Sequence, residues 1–160
     1  MAGAVGSASS FRDAVERLVA GGIQIYETDA EWIPMFIEFW AQATREAYAR
    51  KVVAGSLREC RELISAMLSI GQRGGLVRDD LDVEAAATLL MGTFDGTAFQ
   101  WAVDPEAVNL HRLQRPMADL IDRFIRGDGE AELQAIDQPL AALFEKFVSE
   151  RQRDPEGGTQ

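Results

Sequence analysis

The stretch GQRGGLVRDDLDVEAAATLLMGTFDGTAFQWAVDP, residues Gly71 to Pro105, decides the reading of this chain. It reads as a helix end, a tight link and a second helix. Gly74-Gly75 is the kind of pair that closes a helix in a left-handed cap, and Asp80 or Asp82 then supplies the N-cap of the helix that follows. Between Val83 and Val103 the only charged side chains are Glu84 and Asp95. A helix apolar on nearly every side must be covered on more than one face, which a single small domain rarely does alone.

Outward from this stretch, apolar residues recur every three or four positions and almost nowhere alternate with period two, which predicts an all-α protein. Six helices are expected. The first covers about Phe11 to Tyr26, capped by Ser9 or Ser10, with Phe11, Val15, Leu18, Val19 and Ile23 on one face. Gly21-Gly22 weakens its middle by roughly 1 kcal/mol per glycine, so a neighbour packs closely there or the helix bends. The second, about Ala30 to Ala43, is capped by Thr28 or Asp29. It carries Trp32, Ile33, Phe36, Phe39 and Trp40, with Pro34 near its first turn. The third covers about Arg45 to Arg73, with Gly55-Ser56 as a kink site, and the fourth ends near Asp104-Pro105. In the fifth, about Glu106 to Arg126, Leu113, Met117, Leu120 and Phe124 form a coiled-coil-like seam, and Pro116 predicts a kink or a late start. Gly127-Asp128-Gly129 ends it.

The expected organisation is a flexible lead over residues 1–10, a domain over 11–126, an additional C-terminal helix within 127–152, and a disordered tail over 153–160. The additional helix uses Leu133, Ile136, Leu140, Leu143 and Phe147, although Asp137 with Pro139 equally caps a later start.

With 160 residues, 47% apolar and 26% charged, the chain has an ordinary globular composition and can bury one core. No run of apolar residues is long enough to span a bilayer, and MAGAVGSASS has neither a basic start nor a continuous apolar segment, so neither a membrane nor a secretory signal is expected. One cysteine, Cys60, allows no internal disulfide and fits a cytoplasmic protein. The net charge of −10 repels phosphate backbones, and no basic cluster offsets it, so no direct nucleic-acid binding is expected.

The pattern G-Q-x-x-G at Gly71 to Gly75, D-x-D-x-x-A-A at Asp80 to Ala86, and D-G-x-x-x-Q-x-x-x-D-P at Asp95 to Pro105 resembles the effector-binding and dimerisation half of TetR-type transcriptional repressors. The likeness spans roughly Phe11 to Arg126. It implies a homodimer whose four-helix bundle takes two helices from each subunit, by position the fourth and fifth here. It also implies a small apolar or aromatic effector held among the first four helices. The family's helix-turn-helix would precede this region, where only Met1 to Ser10 stand before the first helix.

For the effector the candidates are Phe36, Phe39, Trp40, Met67, Met91 and Phe94, with Asp95 as a polar anchor; aromatics give flat walls and methionines adapt to irregular shapes. The same stripe at helical spacing also describes plain core. Gly92, Gly96, Gln100, Trp101, Leu113, Met117, Leu120 and Phe124 are assigned to the dimer interface, the two glycines clearing space for a close helix. His111 is read as a solvated or interface side chain, and Cys60 as an ordinary, partly buried thiol. No phosphate loop, nucleophile elbow or metal-binding pattern occurs, so no enzyme activity, cofactor or metal is expected. The resulting expectation is a small-molecule-sensing regulatory domain without its own DNA-binding region. The alternative is a stand-alone helical dimerisation module without a small-molecule ligand.

Overall fold

The punctuation written between Gly71 and Pro105 becomes a set of hydrogen bonds. The computed structural model of the chain describes residues 10–28 and 32–127, and among these it is all-helical, with five helices and no strand. They are α1 (Phe11–Thr28), α2 (Trp32–Ala43), α3 (Ala47–Arg73), α4 (Val83–Val103) and α5 (Leu110–Ile125). The expected sixth helix and tail, and the lead before Ser10, lie outside the described residues.

Caps set the ends. The Ser10 hydroxyl accepts from the Asp13 backbone N–H at 3.1 Å and starts α1. Asp82, rather than Asp80, caps α4, its carboxylate accepting from the N–H groups of Glu84 and Ala85. The fifth helix starts at Leu110 instead of Glu106. Pro105 to Ala107 make a turn in which Asp104 accepts from the Ala107 N–H, and the Asn109 side chain then caps α5 by accepting from Arg112 N–H. Pro116 still lies inside α5, and α3 runs through Gly55-Ser56 as one element.

The G-Q-x-x-G motif now has physical content. Gly71 lies so close to the next segment that a Cβ there would sit 2.6 Å from Val77 Cγ2. Gln72 donates through Nε2 to the carbonyls of Arg78 and Leu81, at 3.1 and 2.9 Å, and so holds the link. Gly75 turns the chain at φ 72°, a conformation that costs glycine little. The link is also tied to the end of α5. Arg78 N–H donates to Ile125 O and Gly127 N–H to Leu76 O, flanking an isolated antiparallel bridge between Val77 and Arg126.

α1 packs on α5, α2 on α3, and α4 on both α3 and α2. The main core gathers Val15, Val19 and Ile23 of α1, Leu68 of α3, Val77 and Leu81 of the link, Ala86 of α4, and Leu110, Met117, Ala118, Ile121 and Ile125 of α5. Burying each of the larger aliphatics contributes about 1.5–3 kcal/mol. A smaller cluster of Ala43, Ala49 and Val53 closes the α2–α3 hairpin, with Phe39, Trp40 and Leu57 packed against it. No helix among the described residues is long and apolar enough to cross a membrane.

Candidate functional site

An aromatic wall runs along α2 and crosses to α4. Its members come from i, i+4 spacing, which stacks side chains on one face of a helix. The rings of Trp32 and Phe36 are stacked at 4.4 Å, Phe36 and Trp40 are tilted at 5.6 Å, and Trp40 meets Phe99 of α4 edge-on at 5.5 Å. Phe36, Trp40 and Phe99 are half-buried, and Trp32 is exposed. The Trp40 Nε1 atom is shut off from solvent and has no hydrogen-bond partner among the described residues, an uncommon state for a buried donor.

One turn before Phe99 on α4 stands Asp95, also half-buried, and burial lifts its carboxyl above the ordinary carboxylate range. Tyr26, near the end of α1, is pushed up by its own desolvation and then by the charge of Asp95. The carboxylate and the phenol are therefore neighbours across α1 and α4. Phe94, beside Asp95, turns toward α1 instead. It packs against the main core, its ring so near Gly22 that a Cβ there would lie 2.8 Å from Cε1. That close approach is what the glycine pair in α1 accommodates.

The structure thus divides the effector candidates. Phe36 and Trp40 share the wall, and Phe39 sits with Trp40 against the α2–α3 cluster. Asp95 lies one turn from Phe99, whereas Phe94 belongs to the α1 side. Met67 of α3 and Met91 of α4 are half-buried and join neither the wall nor either of the two core clusters described above. Phe99 and Tyr26 escaped the sequence reading. The i, i+4 relation of Asp95 to Phe99 was a signal for the first, and nothing local marks the second.

The residues assigned to a dimer face divide as well. Gly92 and Gly96 have open space where a Cβ would be, so no helix among the described residues closes on them. Gln100 and Leu120 are exposed, as are Leu89 (60%) and Val103 (81%) of α4. Met117, in contrast, is buried within the chain, and Trp101, Leu113 and Phe124 pack partly against the same core. The seam of α5 is covered in large part by α1, so the lone chain does not leave it wet.

Two surface clefts lie away from the wall. One, of about 400 Å³, is lined by Thr97, Gln100, Asn109, Arg112 and Leu113 between the end of α4 and the start of α5. The other, of about 580 Å³, lies between α3 and the start of α4, with Arg58, Arg61, Glu62 and Asp82 on its walls. His111 pairs with Glu27 at 3.1 Å and joins the start of α5 to the end of α1. No group of three or more potential metal ligands gathers among the described residues.

The described residues thus form a bundle of helices in which one is apolar on nearly all sides, with an open glycine-lined stripe and an aromatic wall. The family model described as BetI-type transcriptional repressor, C-terminal, matches residues 9–126, and the chain belongs to that family, the C-terminal domains of TetR-type regulators. No curated protein and no solved structure matches the chain.

Proposed function

We propose that this domain is the sensing half of a TetR-type transcriptional repressor, a homodimer that takes a small, flat, mostly apolar molecule against the aromatic wall of α2 and α4. The observation that carries the ligand is the wall itself: four aromatic rings in succession, three of them half-buried, with a buried indole N–H that has no acceptor among the described residues. Ligand sites are of this kind, apolar walls with a few polar groups that fix orientation. Binding changes the output by favouring one of two arrangements of the dimer, and hence one spacing of the DNA-reading heads of the intact regulator.

The stripe Leu89, Gly92, Gly96, Gln100 and Val103 supports the dimer, since large exposed aliphatics beside open glycines suit close helix packing. Leu120 of α5 extends the apolar surface on offer. Contact of this domain with DNA has no support in its charge: Arg12 is engaged by Glu16 and Asp119, and Arg126 by Asp122, while the net charge is −10. The reading includes no catalytic step and places the protein in the cytoplasm.

Light scattering at micromolar concentration should give twice the chain mass, and Leu89→Glu with Leu120→Glu should give monomer. A panel of flat aromatic compounds should raise the melting temperature and perturb tryptophan emission. A dimer that responds to none of them would instead be an interaction module, for which the α4 stripe alone is sufficient.

A further inference from the structure

The polar groups at the end of the aromatic wall are unbalanced, and the imbalance specifies a ligand chemistry; the argument rests on the ligand-binding reading above. On α2, Trp40 Nε1–H is buried and reaches no acceptor among the described residues. On α4, half-buried Asp95 receives no hydrogen bond and no ion pair among the described residues. The two helices pack together, and the ring that touches Trp40 belongs to Phe99, one turn beyond Asp95. A donor lacking an acceptor and an acceptor lacking a donor thus stand on neighbouring helices. The first is costly to leave unmade away from water, and partial burial already disfavours the charge of the second.

We infer that the wall takes a flat, neutral molecule whose polar end both accepts and donates, a hydroxyl or a carboxamide, accepting from Trp40 Nε1 and donating to Asp95. The inventory of donors and acceptors excludes the other simple polar ends. A bare hydrocarbon satisfies neither group. An ammonium donates to Asp95 and leaves Trp40 Nε1–H without an acceptor. A carboxylate accepts from Trp40 but sets a second negative charge near Asp95 in a poorly solvated place, where like charges repel strongly. Burial already holds Asp95 above its ordinary range, and the Asp95 charge contributes to holding Tyr26 up, so the local field opposes further anions. Hydroxyl and carboxamide supply both halves.

The test is equilibrium dialysis of the full chain against four probes of one shape: naphthalene, naphthol, naphthamide and naphthoate. Bound probe is measured directly, so the readout does not depend on tryptophan emission. Naphthol and naphthamide should bind at least about tenfold more tightly than naphthalene and naphthoate, the scale of one or two satisfied hydrogen bonds. Trp40→Phe should bring naphthol down toward naphthalene and leave naphthalene unchanged, which also shows that the wall is intact. Asp95→Asn should raise naphthoate affinity by about tenfold, since the repelling charge is gone. The ranking in the unaltered chain stands whether or not either variant folds. Naphthoate binding as tightly as naphthol, or all four probes binding alike, overturns the inference and leaves the ligand site in place. No binding of any probe overturns the ligand site and the inference with it.

Discussion

The α1–α5 end of the molecule and the aromatic wall of α2 and α4 treat their polar groups in opposite ways. At the first, Asp122 is buried, yet Arg126 reaches it with two nitrogens at 2.5 and 3.2 Å and Arg12 stands 3.8 Å away. The Arg126 guanidinium also lies 5.6 Å over the Phe11 ring, and Arg12 bridges to Asp119. Each of these charges has a partner, as a buried carboxylate requires. At the wall, an indole N–H is buried with no acceptor and a carboxylate is half-buried with no donor among the described residues. Pairing marks the part of the domain that holds it together. Missing pairs mark the part with capacity left for something else.

The largest effect that tests this division is in the core beneath the paired end. Ile121→Ala should cost about 3 kcal/mol in urea unfolding at fixed protein concentration, because a buried aliphatic is replaced by a cavity. A loss under about 1 kcal/mol would mean that the α1–α5 core is not what stabilises the fold. Next come two substitutions of identical chemistry and opposite sign. Gly71→Ala forces its methyl into Val77 and should cost about 2 kcal/mol. Gly55→Ala meets nothing within 4 Å in the interior of α3 and should add up to about 1 kcal/mol.

Acid titration separates the two regions by slope. The Arg12 hydrogen bond holds Asp119 below its ordinary 3.8, so its stabilisation is present above that value and is lost as pH falls through the lower, folded-state value. Asp95 is held above 3.8 by burial, so its effect has the reverse sign: stability is greatest below 3.8 and declines as pH rises through the raised value. Asp119→Asn should flatten the acid limb from one side. Asp95→Asn should leave the domain more stable at neutral pH than the unaltered chain. Equal slopes for the two variants would remove the distinction between the regions.

The smallest effect is the most pointed. Trp40→Phe removes a donor that has no acceptor among the described residues, which offsets the packing lost with the smaller ring, so the ligand-free domain should change in stability by less than about 1 kcal/mol. A loss of about 3 kcal/mol would mean that the packing of the ring on Phe99 and the α2–α3 cluster outweighs the relief of the unmade N–H.

Much of the fold was legible before any coordinates. Asp82, the Gly74-Gly75 pair and the 3.6-residue rhythm identify α3, the link and α4 because caps and periodicity are local physics. α4 is apolar all round because α3, α2 and the core residues near α1 each take part of it. The seam of α5 shows the limit. Its spacing identifies an apolar face, but spacing does not say what covers that face, and α1 covers Met117. The aromatic wall was legible in part for the same reason. Phe36 and Trp40 are four apart on one helix and declare themselves, whereas the partnership of Trp40 with Phe99, or of Tyr26 with Asp95, exists only once separate helices meet.

The bridge between Val77 and Arg126, with Gly127 N–H on Leu76 O and Arg78 N–H on Ile125 O, joins segments far apart in the chain. A Cβ on Gly127 would lie 2.9 Å from Gly75 O, so the two backbones are in contact. Amide hydrogen exchange at Arg78 and at Gly127 therefore has one gate. Neither proton can be released without parting the link from the end of α5, and both should exchange at the rate of that single opening, in step with the inner turns of α5 rather than with a surface loop.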